Sequence, residues 1–488
     1  MVSPFGSPRR SALAETRYWT RLVWLPLLCF AFMGLALVRS SKANQPVEPR
    51  PRVETAAPTT PLLSVRRLPN AVALPAQVAS LHGPALAGLA GLPPETTCAS
   101  VMNSRGVPVF QHNASLLLSP ASNEKVLLAY GALTQLGQAH TFGTTVATDA
   151  QIVGGVVQGN VWLVGGGDPV LATQDYVGAF VDQQRVFSPF ESLADQLRAA
   201  GITRIKGNVL GDASRYDDVL YHPNWPSRFG ANGVVGPISA LALNNGFADF
   251  SKGGQEMAGS GAPSSNPPRS AASSLIDLLK ERGITVDGRA NAGAPPPGPT
   301  VLAELQSPPL KAIVGQMLRT SDNSTAEMLF KELGVARAGG GSFASGSAAL
   351  TAILAEHGFS QPGMVLSDGS GLDTADRVSC TTLNAVLDAA GRSSDLAGGL
   401  AVAGRSGTLR NRFAETAAVG QVSAKTGTLD TVSSLSGFVD TTTGETATFA
   451  LIINERGAEQ YKPIEEQFVQ TLLSYPGGPD IAALLPLL

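Results

Sequence analysis

Apolar and polar positions divide the chain into segments of different character. Leu22 to Val38 (LVWLPLLCFAFMGLALV) is 17 residues long, carries no charge and is almost entirely apolar. As a helix rising ~1.5 Å per residue it spans about 26 Å, enough to cross a bilayer core. The run VLLAYGAL after Lys125 is mostly apolar and predicts a buried helix. Two amphipathic runs, PPLKAIVGQMLRT and STAEMLFKELG, flank Ser321, Asp322 and Asn323. They predict two helices joined by a tight polar loop. SLSGFVD and TATFALIIN flank a TTTGE turn and predict an antiparallel hairpin. From about 146 to 299, short strand-like runs (VWLVGGG, IKGNVLGD) mix with helix-like LADQLRAAGI and SAASSLIDLLKERG. This stretch reads as α+β.

The first apolar segment bears on location. Arg9, Arg10, Arg17 and Arg21 precede it, so the positive-inside rule places residues 1–21 in the cytoplasm and exports the rest. The segment 22–38 is either a retained transmembrane anchor or a signal peptide cut after Ser41-Lys42-Ala43, and its length favours the anchor. Residues 39–90 are rich in Pro and Ala with few aromatics, which predicts a semi-extended spacer.

Composition narrows the chemistry. A length of 488 residues leaves room for several domains. The 35 Lys+Arg against 38 Asp+Glu give a net charge of -3, which argues against a nucleic-acid binder relying on overall positive charge. Three cysteines exclude a dense disulfide framework and a four-Cys zinc site, and the five histidines show no metal-binding spacing. No metal is expected. Cys29 lies in the apolar segment, so an exported chain has Cys98 and Cys380 for one disulfide, with two buried thiols as the alternative.

Three short motifs carry candidate chemistry. In Ser119-Pro120-Ala121-Ser122-Asn123-Glu124-Lys125, Ser119 suits an N-cap and Pro120 the first helical position. Ser122 then falls in the first turn, with Lys125 at i+3 on the same face. A serine nucleophile needs such a neighbour, an amine that accepts its proton once desolvation or nearby positive charge lowers its pKa. The helix start also offers N–H groups to an oxyanion. Ser321-Asp322-Asn323 is the second motif. Ser321 suits a proton relay, and Asn323 suits either a substrate amide carbonyl or a lysine. The third is Lys425-Thr426-Gly427-Thr428, on a strand that suits pairing with an extended peptide at a cleft edge. Gly427 is expected to let substrate approach the backbone, and Lys425 to supply positive charge for a carboxylate.

Together and in this order, Ser-x-x-Lys, Ser-Asp-Asn and Lys-Thr-Gly resemble the signature of class A β-lactamases and penicillin-binding proteins. The spacing is 199 residues from Ser122 to Ser321 and 104 from Ser321 to Lys425. A compact serine β-lactamase needs far less chain between its first two motifs. The sequence is therefore similar to the penicillin-binding D-alanyl-D-alanine carboxypeptidases/endopeptidases of the low-molecular-mass class C type, which carry large inserted domains. Gly165-Gly166-Gly167-Asp168-Pro169, the run Lys206 to Asp212, Asn244-Asn245-Gly246, the run Asp368 to Leu372 and Gly407-Thr408-Leu409-Arg410 extend the resemblance, which covers about Cys98 to Leu473.

The resemblance implies an α/β fold with a serine β-lactamase/transpeptidase-like core, an antiparallel sheet flanked by helices. That core is expected from 91–145 plus 300–475, with a large inserted α+β region at 146–299 and a tail at 476–488. It implies catalytic roles for Ser122, Lys125, Ser321, Asn323 and Lys425, and substrate binding by Thr426, Gly427 and Thr428. The backbone N–H groups of Ser122 and Thr428 would form the oxyanion hole. The implied substrates are peptidoglycan stem peptides ending in D-Ala-D-Ala, cleaved through an acyl-enzyme, with β-lactams as inhibitors and no cofactor. A β-lactamase or esterase on the same scaffold would share Ser122 and Lys125, but the long insert counts against it. A catalytically inert cell-wall-binding protein need not keep all three motifs.

Overall fold

Strands from both ends of the sequence meet in one sheet. The computed structural model describes residues 69–180, 185–250 and 261–476. Its largest sheet has six strands in the order 401–402, 422–429, 432–440, 446–453, 97–102 and 108–112. Every neighbouring pair in it is antiparallel. The predicted hairpin is the pair Val432–Asp440 and Thr446–Ile453, with Ser433 opposite Ile453 and Asp440 opposite Thr446.

This sheet is covered on both faces, so its central strands are buried throughout instead of alternating. Phe449, Leu451 and Ile453 join a core with Phe110, Phe468 and Leu472. The intervening Ala450 and Ile452 join the opposite core with Val126, Leu128 and Leu383. The latter side holds the helices Glu124–Leu136 and Cys380–Ala390. Cys98 and Cys380, 282 positions apart in the sequence, form a disulfide with Cα atoms 5.9 Å apart. It joins the strand Thr97–Met102 to the helix Cys380–Ala390.

The expected spacer over 39–90 needs correction at its end, because Pro69–Gly88 is an α-helix. Leu81, Ala85 and the following Leu89 are buried in the core that holds Phe110 and Phe468. A Pro- and Ala-rich composition reads as extended when taken alone. Here burial of one side outweighs the cost of Pro75 and Pro84 inside the helix. The segment 22–38 and the rest of the expected spacer lie outside the described residues, as do positions 477–488 of the tail. Among the described residues no helix is long and apolar enough to cross a membrane.

The insert leaves and returns through two antiparallel strands, Gly143–Thr148 and Thr300–Gln306. These lie a few residues outside the expected 146–299. They belong to a five-stranded sheet in the order 290–292, 209–212, 161–165, 143–148 and 300–306. The strands 161–165, 209–212 and 290–292 run parallel, linked by crossovers containing the helices Glu191–Ala199 and Pro267–Glu281. Leu193, Leu197, Leu275 and Leu279 of these helices share a core with Val161, Leu163 and Val209. A small four-stranded sheet and the parallel pair Leu171–Ala172 and Ser188–Pro189, all of two-residue strands, complete the insert among the described residues.

Candidate active site

The Ser122 turn differs from the expected helix start. Ser119 does not cap the helix. Its backbone N–H and C=O are taken by the Asn454 side chain at 2.8 and 2.9 Å. A 3₁₀ turn, Ala121–Asn123, precedes the helix Glu124–Leu136. Ala121 has φ of +46°, a left-handed conformation that costs energy for a residue with a Cβ. Surrounding contacts hold it there. Asn123 donates to Ser434 Oγ at 2.7 Å, and Ser434 Oγ donates to the Pro120 carbonyl at 2.7 Å. Gly371 presses on the turn so closely that a Cβ there would lie 1.9 Å from the Ala121 oxygen.

Lys125 sits at the centre of the arrangement, with no solvent exposure. Its Nζ donates to Ser122 Oγ at 2.9 Å, to Asn323 Oδ1 at 2.7 Å and to the Ser370 carbonyl at 2.7 Å. Burial lowers its pKa to about 8, against the opposing pull of Glu327, Asp368 and Asp322. A lysine so placed is ready to lose its proton near neutrality.

Ser321 and Asn323 lie at a junction between helices. Leu310–Thr320 ends at Ser321, which adopts the left-handed conformation at φ of +60°. Asp322 caps the next helix, Asn323–Ala338, by accepting from Thr325 N at 3.0 Å. The insert braces this junction. Asn245 donates to Asp322 at 3.1 Å, Asn323 donates to the Val234 carbonyl at 2.8 Å, and Gly236 N donates to Ser324 Oγ at 2.9 Å. Of the two roles expected for Asn323, the geometry shows its oxygen holding the lysine.

Lys425 enters from the strand Val422–Leu429. It donates to Ser321 Oγ at 2.8 Å and to the Thr426 carbonyl at 2.7 Å. Burial pushes its pKa well below the ordinary lysine value, and the charge of Lys125 adds to that. The buried amine is directed at the Ser321 hydroxyl. It has no solvent exposure and lies behind that hydroxyl. Gly427 is packed closely against the Ser122 turn. A Cβ there would lie 2.3 Å from Ser434 Oγ, 2.8 Å from the Pro120 oxygen and 3.1 Å from Ser122 N. The glycine is required by the nucleophile turn seated against the strand.

These elements open onto one cleft of about 710 Å³, whose wall includes Ser122, Ser321, Asn323, Thr408, Thr426 and Thr428. Thr426 donates to Thr408 across 2.8 Å. The structure thus brings together every catalytic and binding residue singled out in the sequence, with Lys125 and Lys425 buried behind the wall.

Sequence reading leaves several supports without a role. Glu327 accepts from Gly369 N at 3.0 Å and Ser370 N at 2.7 Å, fixing the two peptides just before the Ser370 carbonyl that meets Lys125. Asp368 holds the same loop through Gly371 N at 2.6 Å and Asp373 N at 2.7 Å, and accepts from Trp225 Nε1 at 2.7 Å. Asp368-Gly369-Ser370-Gly371-Leu372 stands out in the sequence as a shared motif, but nothing there ties it to Lys125. Glu327 has no local signal beyond its helix.

A buried Ser-x-x-Lys turn and helix against an antiparallel sheet, with the other two motifs across one cleft, define an active-site serine fold of the β-lactamase and penicillin-binding type. The family model described as D-Ala-D-Ala carboxypeptidase 3 (S13) matches residues 99–260 and 254–475, and the chain belongs to that family, a low-molecular-mass class C type. It is 28% identical over 450 residues to the D-alanyl-D-alanine carboxypeptidase of Actinomadura sp. (strain R39), covering 77% of this chain and 81% of that one. It is 31% identical over 367 residues to carboxypeptidase DacB of Mycolicibacterium smegmatis, covering 72% and 75%. Among solved structures, penicillin binding protein 4 from Haemophilus influenzae superposes with a TM-score of 0.65 at 22% identity, over 80% of this chain and 98% of that one.

Proposed function

We propose that this chain is a serine DD-peptidase that cleaves the terminal D-Ala-D-Ala bond of peptidoglycan stem peptides. The observation that carries the reading is the 2.9 Å hydrogen bond between Lys125 Nζ and Ser122 Oγ, at the floor of a cleft shared by all three motifs. Ser122 Oγ attacks the carbonyl of the penultimate D-alanine, and neutral Lys125 takes its proton. The N–H groups of Ser122 and Thr428 stabilise the oxyanion, each worth about 3 kcal/mol in the transition state. The C–N bond then breaks, and the leaving amine takes the proton that Lys125 gained, passed by way of Ser321, which Lys425 holds at 2.8 Å. Water cleaves the ester at Ser122, returning the hydroxyl and completing release of the shortened peptide. Asn323 keeps Lys125 in line. Thr408, Thr426 and Thr428 offer hydroxyls to the terminal carboxylate. A β-lactam carbonyl would acylate the same serine, and the ester would leave slowly.

Incubation with a pentapeptide stem and with a cross-linked dimer tests this reading. Release of D-alanine that disappears in Ser122→Ala supports it. Cleavage of the dimer would add endopeptidase activity. An intact pentapeptide, with no penicillin adduct on Ser122 by mass spectrometry, would refute it.

The same reading puts the domain outside the cytoplasm, anchored by residues 22–38. Its support is the charge-free apolar run with four arginines before it. Membrane fractionation with N-terminal sequencing tests it: a soluble product beginning near Asn44 would replace the anchor with a signal peptide.

A further inference from the structure

Behind the catalytic lysine lies a cluster of ionisable groups that the acyl transfer does not use. Glu124, Asp368 and Asp376 are all buried, and each brings a carboxylate oxygen within 4.8 Å of the others. Their surroundings differ. Asp368 accepts from Ser370 N, Gly371 N, Asp373 N and the Trp225 indole, the environment of an ionised carboxylate. Asp376 accepts from Ser367 N at 2.6 Å through Oδ1, while its Oδ2 meets no donor among the described residues. Glu124 has no solvent exposure, and neither of its oxygens meets a donor among the described residues. An ionised Glu124 would be an uncompensated buried charge beside two others of the same sign.

We propose that Glu124 and Asp376 share one proton as a buried carboxylic acid–carboxylate pair, Glu124 O–H donating to Asp376, and that this pair positions the start of the nucleophile helix while withholding a negative charge from Lys125. The proposal rests on the reading of Lys125 as the base. One shared proton gives Asp376 Oδ2 and one Glu124 oxygen a partner and ties the helix Glu124–Leu136 to the loop 366–378, whose Ser370 carbonyl holds Lys125. The carboxyl groups facing Glu124 are Asp376, Asp368 and Glu327, and Lys125 faces it as a cation. Burial and these carboxyl groups raise the pKa of Glu124, and burial and Asp368 raise that of Asp376 as well, so the pair holds a proton; Asp376 Oδ1 already accepts from Ser367 N, which leaves Glu124, with no donor at either oxygen, as the acid. Lys125 already faces Glu327, Asp368 and Asp322, which favour its cation, and Lys425, which disfavours it. An ionised Glu124, the preceding residue, joins that first group and favours the cation further, by less than the other three. Glu124 touches no reacting atom and acts through Lys125 and the loop.

The test is the pH profile of Ser122 acylation by a fluorescent penicillin, measured on the full chain in detergent as wild type, Glu124→Gln and Glu124→Gln/Asp376→Asn. Glutamine is a neutral donor like the protonated acid, so the midpoint in Glu124→Gln is expected to stay within about 0.3 pH unit of wild type. The double variant also removes the pair's remaining charge and should move the midpoint down by about half a unit or more. A downward shift of about one unit in Glu124→Gln alone would show that Glu124 is ionised in the wild type and overturn the proposal. Infrared difference spectra give an independent readout. Wild type should show a protonated-carboxyl component at neutral pH, beyond that of Glu327, which Glu124→Gln loses, and an unchanged band overturns the pairing. Stoichiometric divalent metal in the purified chain would also overturn it, by making the cluster a cation site. If wild type takes no penicillin at all, the peptidase reading fails, and the infrared band still decides the pair.

Discussion

The amide oxygen of Asn323 accepts a 2.7 Å hydrogen bond from Lys125 Nζ, joining residues 198 positions apart in the chain. The same side chain donates to the Val234 carbonyl of the insert at 2.8 Å. Asn323 therefore connects the base, the helix junction and the inserted region, and its replacement separates their contributions. Asn323→Ala removes a hydrogen bond to an amine that is charged for part of its cycle, worth about 1.5–3 kcal/mol, so acylation should fall roughly 10- to 100-fold. Asn323→Asp keeps the shape and adds an anion, which should hold Lys125 protonated and move the acylation midpoint up by about one unit or more. Penicillin acylation rates against pH, with circular dichroism to confirm folding, check both.

The wild-type pH profile follows from Lys125 itself. Burial lowers its pKa to about 8. A lowered lysine pKa means that the neutral base is fully present above that value and lost as pH falls through it. Acylation should therefore rise close to tenfold per unit at pH below about 8 and level off above it. Burial also pushes Glu327 up to about 8, so the midpoint belongs to both groups together. A flat profile from about pH 6 to 9 would remove Lys125 from the proton transfer.

Gly427→Ala tests why that glycine is present. The added methyl would strike Ser434 Oγ and the Pro120 carbonyl, which hold the Ser122 turn. A displacement of about 1 Å at the nucleophile costs roughly 100-fold in rate, so acylation should drop by that order while the fold survives. If the glycine served substrate approach alone, acylation by a small β-lactam would change little and only peptide turnover would fall.

The Cys98–Cys380 disulfide joins residues 282 positions apart in the chain. Replacing both cysteines with alanine should lower the unfolding free energy by about 3 kcal/mol, through loss of this constraint on the unfolded state. The acylation rate of the folded protein should stay within about twofold, because the bridge lies on the strand and helix behind the site. Denaturant titration with parallel penicillin labelling checks both statements.

Much of the site was legible because its chemistry is concentrated in short motifs. Ser122 and Lys125 stand at i+3, and any helical or 3₁₀ backbone brings such a pair to one side. Ser321 and Lys425 carry no comparable local relation. Their 2.8 Å contact depends on a strand from one part of the chain passing a helix end from another. Glu327 and Asp376 were out of reach for the same reason, since a carboxylate that supports a loop from within is indistinguishable in sequence from one on a helix surface. The helix Pro69–Gly88 was misread because its stability comes from Phe110 and Phe468, neither of which is near it in sequence.

Local pattern alone determined which segments carry the nucleophile, which runs form the hairpin, where the long excursion falls and which family the chain resembles. Each depends on residues a few positions apart, where backbone geometry sets the distances. Tertiary structure alone decided that Lys125 loses its solvent, that Asn323 and Ser370 share its protons, that Gly427 yields to the Ser122 turn and that Glu124 is buried without a donor. Those outcomes depend on desolvation and on contacts between segments up to hundreds of residues apart, and they arise only when the sheet closes over the helix.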